Sequence, residues 1–299
     1  MAGPRRGFGQ PVGATVKIVI YGLAKSGTSA LFYKIRNSLP SGTIELFEPS
    51  SYGKRERLRS RLIALRRGHL RPDVLAKILP WDWRPVRMAD FERFERRILL
   101  VRDPRDRLVS GLLYRSYNAA FAAHDRPALE FLELLRAKEA EPASIPMLSL
   151  LETFERLESQ AGGRTDWLGR YRTHGLEEPL RFHEQRPDLF AYRYEDMVDG
   201  RIGSVESVLG IPLAGSASVP PALGRVVRTK RYGAWREWFT PKDVDWFRPV
   251  VSEFLRRYYP AADWDLAPSP ILDPVHGSLY VERIVNERRG LLHLPPLPR

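Results

Sequence analysis

The stretch "YGLAKSGTSALFYKI", Tyr21 to Ile35, decides how this chain folds, and its lysine stands early. A nucleoside-triphosphate loop reads G-x-x-x-x-G-K-[ST], with the lysine late and the last hydroxyl placed to hold Mg²⁺ beside the β and γ phosphates. Here Gly22 is followed by Lys25-Ser26-Gly27-Thr28-Ser29. The flanks are nevertheless those of a phosphate loop. "VKIVIY" is a short, β-rich apolar run, and "SALFYKIRNSL" repeats apolar residues at Leu31, Ile35 and Leu39 with helical spacing. A strand feeds a turn that feeds a helix. The first N–H groups of that helix lack intrahelical acceptors and carry the positive end of its dipole, so an anion is favoured there.

The same unit recurs further on. In "RRILLVRDPRDRLVSGLLYRSY" the run Ile98 to Val101 is a strand of the kind buried in parallel sheets. Asp103-Pro104 then supplies an N-cap and a first-turn proline, and Leu108, Leu112 and Leu113 continue a helix. "TIELFE", Thr43 to Glu48, reads as a second strand, "DVLAKILP" as a third, and "LFAYRYEDM" as another running into a helix. Residues 126–186 are mostly helical in pattern, and "TPKDVDWFRPVVSEFLRRYY" opens on the Thr-Pro of a capped helix. Strands alternating with helices imply an α/β fold, three layers around a central, mostly parallel sheet.

No linker divides the 299 residues, which read as one domain, 1–299, with a core of about 15–260. Prolines at 268, 270, 274, 295, 296 and 298 make 261–299 an extended tail draped over the core. No apolar run approaches the roughly 20 residues of a spanning helix, and "MAGPRRGFGQPVGA" has no apolar stretch behind its charges. The cytoplasm is the default compartment. With no cysteine, disulfides, thiolate metal sites and thiol catalysis are excluded, and the formal charge of +12 points to anionic partners. The segment from Lys54 to Arg71 carries eight basic residues, with Leu58, Leu62 and Leu65 at helical spacing. It reads as an amphipathic helix with a solvated arginine face, and peripheral contact with a membrane or an acidic substrate is the sharper alternative.

A ligand with two separated anionic groups needs two receptors. Arg102 sits at the C-terminal end of a buried strand, where open α/β sheets place ligands, and Ser110 follows about two helical turns on. The bland reading is an Asp-Pro helix start whose arginines pair with carboxylates. A third stretch, "VVRTKRYGAWREWFTP", packs Arg228, Lys230 and Arg231 beside Gly233 and Trp235. Clustered cations repel unless an anion or solvent relieves them.

These four segments, about residues 16–48, 97–116, 189–198 and 226–247, resemble the sulfotransferases that use 3′-phosphoadenosine-5′-phosphosulfate (PAPS). The resemblance implies that Lys25, Ser26, Gly27, Thr28 and Ser29 form the loop for the 5′-phosphosulfate, with no metal required. Arg102 and Ser110 would hold the 3′-phosphate together with Arg228. "RYED", with Tyr194, matches the family's Tyr-Glu-Asp segment, and Thr229, Lys230 and Gly233 fall in its C-terminal cofactor loop. Lys25 would stabilise the leaving bisphosphate electrostatically as the S–O bond breaks. A sulfuryl group in transit bears less charge than a phosphoryl group, so a lysine stands where a kinase needs Mg²⁺.

Small-molecule members carry a histidine base where this chain reads "AKILP", Ala76 to Pro80. Glycan-modifying members instead have a glutamate after the second strand, and "LFEPSSY" offers Glu48. An ordinary glutamate, with a pKa near 4.3, matches an alcohol poorly, so Glu48 needs a raised value or mainly orients the hydroxyl. Lys77 is a further catalytic candidate from the third strand. "WDW", Trp81 to Trp83, could line an acceptor site, and the six histidines show no ligand spacing. The glutamate tilts the acceptor towards a carbohydrate, glycolipid or other small polar alcohol. Two other classes stand beside this one: a P-loop kinase with a permuted loop, and a basic nucleic-acid or membrane-surface module, against which the absence of interleaved aromatic and basic residues counts.

Overall fold

The computed structural model describes residues 15–66, 68–69, 72–81, 85–164 and 166–298. The N-terminal run through Ala14, together with Arg71 and Trp83, lies outside the described residues. Among the described residues five strands form one sheet: β1 Lys17–Gly22, β2 Ile44–Phe47, β3 Val74–Ile78, β4 Arg96–Val101 and β5 Phe190–Arg193, in the order β2-β3-β1-β4-β5. Every pairing is parallel, with Ile20 opposite Lys77 and Ile98, and Phe47 opposite Lys77.

The helices are α1 Thr28–Arg36, α2 Lys54–Arg66, α3 Pro104–Arg115, α4 Asp125–Ala140, α5 Met147–Gln160 and α6 Trp167–Arg172. One π turn, Thr173–Glu177, leads to α7 Glu178–Glu184, and α8 Tyr194–Val198, α9 Gly203–Leu209, α10 Trp235–Trp238, α11 Pro241–Tyr258 and α12 Ser278–Leu291 follow. Alternation along the strands sorts the side chains into two cores. Val19, Tyr21, Ala76, Leu99 and Val101 meet Leu112 of α3, Leu150 of α5, Phe247 of α11 and Ile284 of α12 on one face. On the other, Ile18, Ile20, Leu75, Ile98 and Leu100 meet Phe32 and Ile35 of α1 and Leu209 of α9. The sheet is the middle of three layers, and each buried Val, Leu, Ile or Phe side chain contributes about 1.5–3 kcal/mol by leaving water.

Two elements depart from the sequence reading. The tail from 261 is not extended throughout, because 278–291 is helical and buries Tyr280, Val281, Ile284 and Val285. Proline weighting hid this: none stands between Pro274 and Pro295, and those four apolar residues follow helical spacing. In α2 the helix forms as expected, yet it turns Ala64 inward and leaves Leu58, Leu62 and Leu65 exposed. Among the described residues no helix is long and apolar enough to cross a membrane.

Ile284 is fully buried. Ile284→Ala is expected to lower unfolding free energy by about 2–4 kcal/mol in denaturant titrations, and a change below about 1 kcal/mol would deny α12 a place in the core.

Candidate active site

All the strands end at one edge, and β1 and β4 sit where the order of connection reverses: the chain leaves β1 for one side of the sheet and β4 for the other. Such a crevice receives ligands in open α/β sheets. The loop after β1 and the turn after β4 meet there, with Arg102 Nη1 donating to the Lys25 carbonyl at 3.0 Å. Gly27 caps α1 with φ 86° and no side-chain cap, so the first helical N–H groups stay open. A Cβ on Gly27 would lie 2.3 Å from Cδ2 of Tyr194, which only glycine avoids. The Tyr194 ring in turn lies under Arg102, 4.5 Å from its guanidinium carbon.

A cavity of about 450 Å³ opens over this edge. Lys25, Gly27, Thr28 and Ser29 line it from the loop and the start of α1, Arg102 from the β4–α3 turn, Ser110 from α3 and Tyr194 from the start of α8. Glu48 and Lys77 line it from the ends of β2 and β3, and Arg228, Thr229 and Lys230 from the segment before α10. Two predicted residues stand outside this lining. Ser26 is buried beneath the loop, its Oγ without a hydrogen-bond partner. Gly233, at φ 82°, lets the chain turn and donates its N–H to Asp106 at 2.5 Å. Trp235 packs in the core and donates its N–H to the other Asp106 oxygen at 3.1 Å. Asp106 therefore straps the Arg228 segment to α3.

Three of the cations that line the cavity, Lys25, Arg102 and Arg228, have no carboxylate bonded to them among the described residues. Lys25 Nζ donates to the Val226 carbonyl at 2.6 Å and sits 4.1 Å over the Tyr114 ring. Arg228 Nη1 donates to the His276 carbonyl at 3.0 Å, while its Nε and Nη2 are buried without partners, as is Arg102 Nε. Burial, then the charges of Arg102, Arg228 and Lys77, holds the Lys25 ammonium well below the usual lysine range. Burial, then Arg102, pushes Arg228 down to about 10. The neighbouring arginines behave differently: Arg105 pairs with Asp103 at 2.6 Å, and Arg107 donates to the Gly175 carbonyl at 3.1 Å. The bland reading of the Asp-Pro helix start thus holds for Arg105 and fails for Arg102.

Glu48 follows β2 in the left-handed region, φ 53°, its N–H donating to the Lys77 carbonyl at 2.9 Å. That turn brings its carboxylate 2.5 Å from Lys77 Nζ, which also donates to Ser29 Oγ at 3.0 Å and lies 4.0 Å over the Phe47 ring. Lys77 is buried. Lys25 is left-handed too, φ 67°, and such backbone in a residue with a Cβ costs about 1–2 kcal/mol. The arrangement can grip anions at the loop and beyond it, and hold a carboxylate at the rim.

Trp81 packs edge-to-face on Phe182 at 5.4 Å and takes no part in the cavity lining. His183 is buried between the Tyr258 hydroxyl and the Leu189 carbonyl, so it too is structural. Sequence reasoning missed three contributors. Asp106 and Tyr114 both lay in a quoted motif, Tyr114 one helical turn beyond Ser110. The third is the C-terminal region, where Tyr280 donates to the Arg225 carbonyl at 2.8 Å and steadies the segment leading to Arg228. A backbone acceptor such as His276 leaves no side-chain signal.

No family model matches the chain, and no curated protein does. Among solved structures, the chain is similar to a mouse sulfotransferase, SULT7A1, complexed with PAP, at 18% identity and a TM-score of 0.43 over 81% of this chain and 85% of that one.

Glu195 ties α8 to the start of α3 and to the end of α11, accepting from the Asp103 N–H at 3.0 Å and the Tyr259 hydroxyl at 2.7 Å. Burial pushes its carboxyl up to about 7 from 4.5, so its contribution to stability is full below about 4.5 and is lost as pH rises through about 7. Glu195→Gln should flatten this dependence, removing a loss on the order of 3 kcal/mol between those limits. Urea midpoints at pH values across the window test it, and an unchanged slope contradicts the assignment.

Proposed function

We propose that the chain transfers a sulfuryl group from PAPS to a hydroxyl of a carbohydrate, glycolipid or other small polar acceptor. The observation that carries this is the cluster of cations, half-buried Lys25 with buried Arg102 and Arg228, which have guanidinium N–H groups lacking partners. The start of α1 suits one anionic group; Arg102, Ser110 and Arg228 suit a second, and a ligand anionic at both ends satisfies the two together. The four sequence segments that resemble PAPS-dependent sulfotransferases contribute the residues of both receptors.

When bound, PAPS supplies the activated sulfuryl group. The Thr28 and Ser29 hydroxyls and the open N–H groups of α1 hold its 5′ end, and Arg102, Ser110 and Arg228 its 3′-phosphate. Lys25 gives positive charge to the oxygen that departs, in a buried setting where such charge acts more strongly than in water. Glu48 orients the acceptor hydroxyl, whose proton leaves late, while Lys77 fixes the carboxylate and Ser29 relative to each other. That bridge links the acceptor side of the cleft to the loop.

Lys25→Ala should cut transfer from ³⁵S-labelled PAPS by roughly 10²–10³-fold while the fold persists, as loss of a preorganised charge does elsewhere. Normal turnover in that variant sinks the reading. Arg228→Ala should weaken adenosine 3′,5′-bisphosphate binding by about tenfold or more in calorimetry, and Glu48→Gln should keep that affinity and lose turnover.

The depressed Lys25 pKa gives a separate signature. An anion beside Lys25 raises it again, so binding takes up protons and weakens as pH rises through the lowered value of the empty protein. Calorimetry in buffers of different ionisation enthalpy reads this uptake; proton release on binding would contradict it.

A further inference from the structure

We propose that α2 docks on an anionic lipid surface. Leu58, Leu62 and Leu65 stand at i, i+4 and i+7 and share one face, with exposures of 61%, 49% and 46%. The helix already has its packed side, where Ala64 is buried, Ser60 is half-buried, and half-buried Arg57 donates to the Gly53 carbonyl. The leucine stripe is therefore turned away from the protein. Lys54, Arg55, Arg59, Arg61 and Arg66 are all exposed, and helical spacing places them along both borders of that stripe. Glu56 is the single acidic residue of the helix.

This pattern distinguishes the occupant. A nucleic acid would use the cations and leave the leucines in water, and a second copy of the same basic helix would bring like charges together. An acyl boundary receives the leucines while long arginine side chains reach back to lipid phosphates, so both sets of residues are satisfied at once. The place in the fold also fits an enzyme working at a surface: Glu48 precedes α2 by six residues, a chain length of at most about 20 Å. The docking itself does not depend on the transfer reading.

The test is flotation of the full chain with vesicles of phosphatidylglycerol and phosphatidylcholine in equal parts, against phosphatidylcholine alone. Binding is expected only to the anionic vesicles and should weaken with salt. The triple variant L58S/L62S/L65S and the charge variant R55Q/R59Q/R61Q/R66Q should each lose vesicle affinity by about tenfold or more, at an unchanged melting temperature. Adenosine 3′,5′-bisphosphate binding should be unaffected by either, which separates this proposal from the one above. Vesicle binding retained by the leucine variant would overturn the docking. So would binding of RNA that ignores the leucines in a chain that ignores vesicles, or a dimer that the leucine variant dissociates without any lipid binding.

Discussion

The constraint on which the rest depends is the burial of like charges around the start of α1. Lys25 is half-buried and Arg102 and Arg228 are buried beside it, and desolvation with mutual repulsion pushes Lys25 and Arg228 below their ordinary values. Repulsion of this kind strengthens as the surroundings become less polar. It persists only because other contacts over-determine the positions of the groups. Arg102 is fixed by the Lys25 carbonyl and the Tyr194 ring, Arg228 by the His276 carbonyl, and Lys25 by the Val226 carbonyl and the Tyr114 ring. Carbonyls and aromatic faces orient a cation without neutralising it, so the cleft keeps its positive potential.

Topology delivers these groups to one place. Parallel strands all end at the same edge, and the reversal between β1 and β4 leaves room for a loop whose backbone need not join a neighbouring connection. Two residues other than glycine at this edge, Lys25 and Glu48, have positive φ, and they are the ones to which the proposed transfer gives leaving-group and acceptor roles. Backbone of that kind concentrates where structure serves function. In Glu48 the turn has a visible consequence, since it sets the carboxylate against Lys77 and through it against Ser29.

Much of this was legible in the letters. A strand, a glycine-bearing turn and a helix with apolar spacing need only local rules, which is why β1, α1, β4 and α3 fell where the motifs put them. The pairing of Arg105 but not Arg102 was not legible, because identical side chains two or three residues apart are sorted by the direction in which the helix start turns them. Lys77 could be placed on a strand, but its burial depended on β2 pairing in the register that puts Phe47 opposite it. The tail failed for another reason: proline content outweighed periodicity, although Val281 and Ile284 carried the helical signal. Trp81 shows the reverse error, an aromatic near the site whose partner, Phe182, comes from a distant helix.

Asp106 shows how the charge imbalance is maintained. It is fully buried and close enough to Arg102 and Arg228 to act on both. A carboxylate there could pair with either arginine and quench the cleft. Instead, both its oxygens accept backbone N–H groups, from Gly233 and Trp235, on the segment that carries Arg228. Each such bond from a backbone donor to a buried carboxylate is worth more than a neutral one and cannot swing away as a long side chain can. Asp106 therefore offsets part of the arginines' charge through space while holding one of them in place, and the remaining positive charge is left for a ligand to neutralise. A native state built this way gives up stability at the cleft and recovers it on binding, the pattern expected where a site is preorganised for an anion.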